Sequence, residues 1–243
     1  MPIHLPPALK HRLATRVELR ALPPLLIAAG GIWLFIALAG EIAEGETRGF
    51  DEMLLLALRT AGDPSNPIGG HRLQNAMRDI TALGSGVVLV GAVVAVAGFL
   101  ALARRGATAL YLVMATGSGM AVSALAKRLV DRPRPDLVPH EVLVSSPSFP
   151  SGHSMSAAVV YLTLAVLLAR ALESRAQKAY VIALAALLAG AVGLSRVYLG
   201  VHWPTDVLAG WAGGAAWALG AASLAHWLGR RGRIEPDRDG TAD

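Results

Sequence analysis

Six apolar runs, at residues 21–40, 80–103, 107–126, 154–169, 179–195 and 207–228, carry charges only at or beyond their ends, and the second and third contain none. About 20 such residues cross roughly 30 Å of hydrocarbon as a helix. The chain therefore reads as an all-α, polytopic membrane protein with six transmembrane helices. Composition agrees, because 54% of the 243 residues are hydrophobic and 16% charged, where an average soluble domain carries about 25% charge. The mean hydropathy is +0.50. With no cysteine in the chain, disulfide frameworks, thiolate metal sites and a Cys nucleophile are excluded.

Three blocks follow: a cytoplasmic N-terminal segment at 1–20, the membrane domain at 21–229 and a disordered cytoplasmic tail at 230–243. Ala37-Leu38-Ala39 is similar to a signal-peptidase site. Cleavage is not expected, since a long polar stretch precedes it, Pro23-Pro24 opens the apolar run and retention gives an even number of spans. With the N-terminus inside, thirteen of the 22 basic residues fall inside and eleven of the 17 acidic ones outside, in keeping with the positive-inside rule. The net charge of +5 is thus a matter of topology. No nucleic-acid partner is expected, because aromatic residues are few and no such module is present.

Between the first two spans, Phe50, Met53, Leu54 and Leu58 fall at helical spacing, as do Leu73, Met77 and Ile80, with Asp63-Pro64-Ser65-Asn66-Pro67 breaking the two sets. This predicts two short helices lying at the outer interface, or packed over the bundle.

The informative residues lie at span ends. Lys127 closes the third span and Arg134-Pro135 follows it; Pro150-Ser151-Gly152-His153 opens the fourth; Ser195-Arg196 closes the fifth; His202 and Asp206 open the sixth. Six spans place all of these on one side, expected to be the outer one. Lys127, Arg134 and Arg196 supply three cations, enough to hold a dianionic tetrahedral group. Ser151 and Gly152 precede a helix whose first N–H groups lack partners, an end that favours an oxyanion. Together they predict a phosphate site. Nineteen of the 22 basic residues are Arg, so Lys127 is an exception where a compact ammonium is suited.

His202 and Asp206 are four apart at a helix start, a spacing at which two side chains meet. A carboxylate on one imidazole nitrogen fixes the tautomer and leaves the other lone pair free. That makes His202 a nucleophile and leaves His153 to protonate the departing alkoxide.

Lys127-x6-Arg134-Pro135, Pro150-Ser151-Gly152-His153 and Ser195-Arg196-x5-His202-x3-Asp206 resemble, in order, the three signature motifs of the type 2 phosphatidic acid phosphatase superfamily. The likeness covers residues 80–228 well and the N-terminal third loosely. It implies a helical bundle and a metal-independent phosphohistidine mechanism, with His202 attacking phosphorus, His153 as general acid and no cofactor. The implied protein is a lipid phosphatase of a bacterial inner membrane with its site on the periplasmic side. Its substrate would be undecaprenyl diphosphate, phosphatidylglycerol phosphate or phosphatidic acid. In the doubled Arg-Pro only Arg134 has the family spacing, which leaves Arg132 as a rim cation.

Taken singly, each cation reads as an interfacial anchor; jointly with two histidines and Asp206 they read as a site. His226 is expected to be structural, and His140 sits in a loop near the site. Gly210 and Gly214 suggest close helix packing, and the Trp residues belt or packing roles. A transporter would place charges at mid-span, whereas here they sit at one surface. Transfer of the phosphoryl group to another acceptor remains an alternative to hydrolysis.

Overall fold

The computed structural model describes residues 7–140, 142 and 146–235, with side chains from residue 23 onward. Residues 1–6 of the expected N-terminal segment and 236–243 of the expected tail lie outside the described residues. The elements run α1 (Pro7–Glu44), α2 (Arg48–Leu56), β1 (Arg59–Thr60), β2 (Asp63–Pro67), α3 (Gly70–Ala82), α4 (Gly86–Leu102), α5 (Gly106–Leu129), α6 (Gly152–Ala171), α7 (Arg175–Tyr198) and α8 (Pro204–Arg230).

Among the described residues, five helices are each long and apolar enough to span a membrane: α1 from Pro23, α5, α6, α7 and α8. The sixth span is a bent pair, α3 and α4, meeting at 46°. The run expected at 80–103 is thus broken inside its first turns. Ser85 caps α4, accepting the Val88 N–H at 3.3 Å. Gly84 occupies the corner because a Cβ there would run into Val192 and lie 3.3 Å from the His153 side chain. Helix α1 also differs, beginning at Pro7 and continuing through Pro23 and Pro24.

The segment between α1 and α3 forms the expected short helix at α2, but the expected break is a hairpin with Arg59 opposite Pro67 and Thr60 opposite Asp63. Gly62, at φ +82°, makes its turn. Helix α2 turns Phe50, Met53 and Leu54 outward and buries Asp51 and Leu55. Its apolar stripe is the exposed face. That orientation fits a bilayer, where an outward Phe or Met costs nothing and an outward carboxylate does.

Helix α6 is the centre, packed against α5, α7 and α8, while α1 lies on α8. Small residues set these distances: Ala157, Ala158, Ala189 and Val192 form one buried cluster. Gly214 lies against Ala158 and the Met155 carbonyl, and Gly210 against Ser151 and Ser154, the close packing expected of the pair. Three tryptophans bond to other segments, with Trp211 Nε1 donating to the Ala189 carbonyl at 2.9 Å, Trp217 Nε1 to Ala115 at 2.8 Å and Trp203 Nε1 to Pro133 at 3.0 Å. The chain does not leave the bundle at residue 230. Ile234 is buried with Tyr111, Ala221 and Ala225, Thr108 donates to the Glu235 carboxylate, and Arg170 Nη2 donates to the Glu235 carbonyl at 2.8 Å.

Candidate active site

The ends of α5 and α7 and the starts of α6 and α8 converge at one end of the bundle, as the spacing of the motifs requires. A cavity of about 430 Å³ opens there, lined by Lys127, Arg134, Gly152, His153, Arg196 and His202 together with Thr81, Ala82, Ser85, Val142 and Ser146. Seven segments of the chain supply that wall. Of the eight expected site residues, six line it; Ser151 and Asp206 stand behind it.

Each cation is held by acceptors beside the cavity. Lys127 Nζ donates to the Pro147 carbonyl at 2.8 Å. Arg134 Nε donates to the Ser146 carbonyl at 2.8 Å, and its Nη1 to the Val201 carbonyl. Burial lowers the Arg134 pKa, against an upward pull from Asp206. Arg196 is 3% exposed. Its Nη1 donates to Thr81 Oγ1 at 3.0 Å, whereas its Nε has no hydrogen-bond partner among the described residues. A buried guanidinium N–H left open in this way is suited to an anion.

Gly152 begins α6 and keeps the cavity floor open, since a Cβ there would come 3.2 Å from Lys127 Cε. Ser151, expected to bind phosphate, stands behind the cavity wall. Its hydroxyl caps α6, accepting from the Ser154 N–H at 3.4 Å and the Ser154 hydroxyl at 2.7 Å. Its own N–H donates to the Asp206 carbonyl at 3.0 Å, tying the start of α6 to the start of α8.

His202 sits between α7 and α8, 2% exposed. Gly200, at φ +73° and too close to Val138 and the Pro139 carbonyl for a Cβ, turns the chain into it. Arg134 Nη1 lies 3.2 Å from His202 Nε2. A guanidinium can only donate, so Nε2 accepts and the imidazole proton belongs on Nδ1, which faces Asp206 Oδ2 at 3.4 Å. Burial dominates the imidazole's titration and pushes its pKa down to about 3, despite the opposing hydrogen bond and charge of Asp206. Burial therefore favours the neutral imidazole, whose Nε2 lone pair lies on the cavity side and accepts from Arg134.

Asp206 does two jobs. As the third residue of α8 it accepts the Trp203 N–H at 2.9 Å, half of a capping box, with Pro204 opening the helix. The same Oδ2 faces His202 and accepts from the Ser148 hydroxyl. Ser148 is itself 3.4 Å from His202 Nδ1 and was not foreseen, as were not Thr81 and Ser85. Arg132, expected at the rim, is instead half-buried beside Asp206, its Nη1 2.6 Å from Oδ1. His140 does not line the cavity; its Nε2 is bonded to the Pro135 carbonyl at 2.7 Å. His226 is exposed near the other end of α8.

Fold and pocket together define a class: a multi-pass helical membrane protein with a pocket lined by three cations and backed by a His–Asp pair. Comparison with known proteins agrees. The PAP2 superfamily model matches residues 108–230. Phosphatidylglycerophosphatase B of Bacillus subtilis is 35% identical over 179 residues, spanning 72% of this chain and 83% of that protein. Decaprenylphosphoryl-5-phosphoribose phosphatase of Mycobacterium tuberculosis is 39% identical over 129 residues, 49% of this chain and 66% of that one. Among solved structures, the transmembrane PAP2 type phosphatidylglycerolphosphate phosphatase from B. subtilis superposes with a TM-score of 0.73 at 31% identity, covering 83% of this chain and 96% of that chain. Aquifex aeolicus LpxE gives 0.50 at 26% identity, over 70% and 92% of the two chains. The chain belongs to the PAP2 superfamily.

Proposed function

We propose that this chain is a membrane lipid phosphatase that works through a phosphohistidine. The observation that carries the reading is the cavity in which Lys127, Arg134, Arg196 and the first turn of α6 converge on the cavity side of His202. The cations and the helix end take the phosphate oxygens, and Arg134 turns its Nη1 from Nε2 to one of them. The Nε2 lone pair attacks phosphorus and the P–O bond to the lipid breaks. His153 gives its proton to the departing oxygen, which leaves as the lipid alcohol or lipid monophosphate. His153 then takes a proton from water; the hydroxide attacks phosphorus, the P–N bond breaks, and inorganic phosphate and neutral His202 remain. Transfer of the phosphoryl group to another hydroxyl would use the same first half.

The B. subtilis relative makes phosphatidylglycerol phosphate the first substrate to test, with undecaprenyl diphosphate and phosphatidic acid beside it. Purified protein in detergent should release phosphate from at least one. Because three cations already neutralise the phosphate, release should persist in EDTA and be blocked by vanadate, which adopts the trigonal-bipyramidal geometry of the transferring group. Activity lost on chelation and restored by magnesium would sink the metal-independent mechanism.

The chain is proposed to sit in a bacterial inner membrane with the site outward. Arg104, Arg105, Arg170, Arg175, Lys178, Arg230 and Arg231 all belong to the opposite end of the bundle, where the positive-inside rule wants them. A reporter active only outside should give signal when fused after His140 and none after Arg105 or Arg231. Signal at Arg105 reverses the orientation.

A further inference from the structure

Behind His202 lies a buried ion network that the reaction as written does not use. Asp51, fully buried in the nine-residue helix α2, accepts the Thr205 N–H on Oδ1 at 2.9 Å and, on Oδ2, the Thr205 hydroxyl at 2.7 Å and Arg132 Nη2 at 2.6 Å. The other arm of the same guanidinium, Nη1, donates to Asp206 Oδ1 at 2.6 Å and to Thr205 Oγ1 at 2.9 Å. Arg132 Nη2 also reaches Thr47 Oγ1 at 3.1 Å, and the guanidinium lies 5.6 Å from the Trp203 ring. The fork of Arg132 therefore bridges two carboxylates, one on α2 and one on α8.

We infer that Asp51 and Arg132 are positioning residues for the phosphohistidine chemistry, fixing both the rotamer of Asp206 and the charge it presents to His202. The inference rests on the phosphatase reading above. Its physical core is a charge count. When Nε2 bonds to phosphorus the imidazole becomes cationic while Nδ1 keeps its proton, so Asp206 must stabilise a charge that was absent before the attack. Arg132 alone, tight against Oδ1, would cancel that carboxylate. Asp51 restores the balance, because the trio Asp51, Arg132 and Asp206 carries one net negative charge.

The geometry of α2 supports a role beyond adhesion. Its larger apolar side chains, Phe50, Met53 and Leu54, turn outward. Inward it presents Asp51 and Leu55, the latter in a cluster with Trp203 and Val207 that flanks the start of α8. Asp51 also satisfies the Thr205 amide, one of the N–H groups at a helix start that have no intrahelical partner. Helix α2 thus grips α8 at the one turn that carries Asp206.

The test is a charge cycle. Asp51→Asn keeps the shape and leaves the trio neutral; kcat on the lipid phosphate should fall by about 10- to 100-fold, the scale of groups that orient a reactive ligand from behind, with KM changed by less than about 3-fold. Arg132→Gln leaves two buried carboxylates facing each other and should also impair turnover. The double variant Asp51→Asn with Arg132→Gln returns the trio to one negative charge and should recover much of the kcat lost in Asp51→Asn. A mere peg between α2 and α8 gives additive losses instead, and additive losses, or an Asp51→Asn enzyme with kcat within about 2-fold of the parent, overturn the inference. Should Asp51→Asn fail to fold in detergent, Arg132→Lys keeps the charge without the fork; unchanged kcat there overturns it equally. An arm independent of turnover uses ¹⁵N-histidine protein, with the His202 signals identified by their loss in His202→Gln. The parent should show the Nδ1–H tautomer and Asp51→Asn a mixture; identical spectra refute the positioning role. If the parent hydrolyses no lipid phosphate, the functional reading fails while this spectral test still stands.

Discussion

His202→Ala should be inactive on every phosphate ester, whereas His153→Ala should lose about 10²- to 10⁴-fold on a lipid monoester and regain a large part of that on p-nitrophenyl phosphate. The contrast follows from what each histidine supplies. A general acid matters in proportion to how poor the leaving group is: a lipid alkoxide needs a proton and an acidic phenol leaves without one. A nucleophile is needed whatever leaves. The proposed roles rest on position: His202 has its Nε2 on the cavity side with its proton on Nδ1 toward Asp206, and His153 lines the same cavity from the first turn of α6. Asp206→Asn should fall between the two, because the imidazole survives but its tautomer is no longer fixed; a single amide oxygen cannot serve both the Trp203 N–H and Arg132, so its melting temperature should also fall. Rapid-quench labelling should trap an acid-labile, base-stable phosphoenzyme in the parent and none in His202→Ala. Equal impairment of His153→Ala with both leaving groups, or label persisting without His202, reverses the assignment.

That those two histidines line one cavity was readable from sequence because what places them is local: His202 and Asp206 are one helical turn apart, and Gly152-His153 follows a helix-starting Ser. The cations were readable too, since six spans force the ends of α5 and α7 and the starts of α6 and α8 onto one side. The bend between α3 and α4 was harder. Thr81, Gly84 and Ser85 are all tolerated in an apolar run, and hydropathy averages over them; the one available signal was Ser85 ahead of Gly86, a helix-start pair inside what reads as a span. Ser148, Arg132 and Asp51 left no pattern, because the side chains they bond lie 54, 73 and 81 or more residues away. Helix α2 follows the interfacial reading of its apolar spacing and not the one that packed this face over the bundle, since Phe50, Met53 and Leu54 turn outward. Hydrophobic periodicity reports which face avoids water, and in a membrane protein that face can be the outer one. Buried polarity, not buried apolarity, is what locates Asp51.

Replacing Gly214 by Leu should cripple the protein both as a fold and as an enzyme. Helix α6, which carries His153, and α8, which follows His202, cross here: even a Cβ at 214 would lie 2.6 Å from Ala158 Cβ and 2.7 Å from the Met155 carbonyl. Backbone oxygen cannot rotate away as a side chain could, so α6 and α8 must separate. A single excess methylene in a packed interior costs about 1–3 kcal/mol, and Leu adds four carbons. Separation also acts on the chemistry, because the Ser151 N–H to Asp206 carbonyl bond of 3.0 Å joins the two helix starts that present His153 and His202. Misplacement of reacting groups by about 1 Å is enough to lose on the order of 10²-fold in rate. Gly210→Ala is the finer probe. Its Cβ would meet the Ser151 carbonyl at 3.0 Å and Met155 N at 3.1 Å, one turn nearer the site, so its kcat should drop more than its melting temperature. Gly190→Ala on α7, with nothing within 4 Å of the added Cβ, is the control and should melt no lower than the parent, since Ala is favoured over Gly inside a helix by up to about 1 kcal/mol. Melting curves in detergent and phosphate release on the same three variants check the ranking; a Gly214→Leu protein as stable and as active as Gly190→Ala would mean that α6 and α8 do not meet at this crossing.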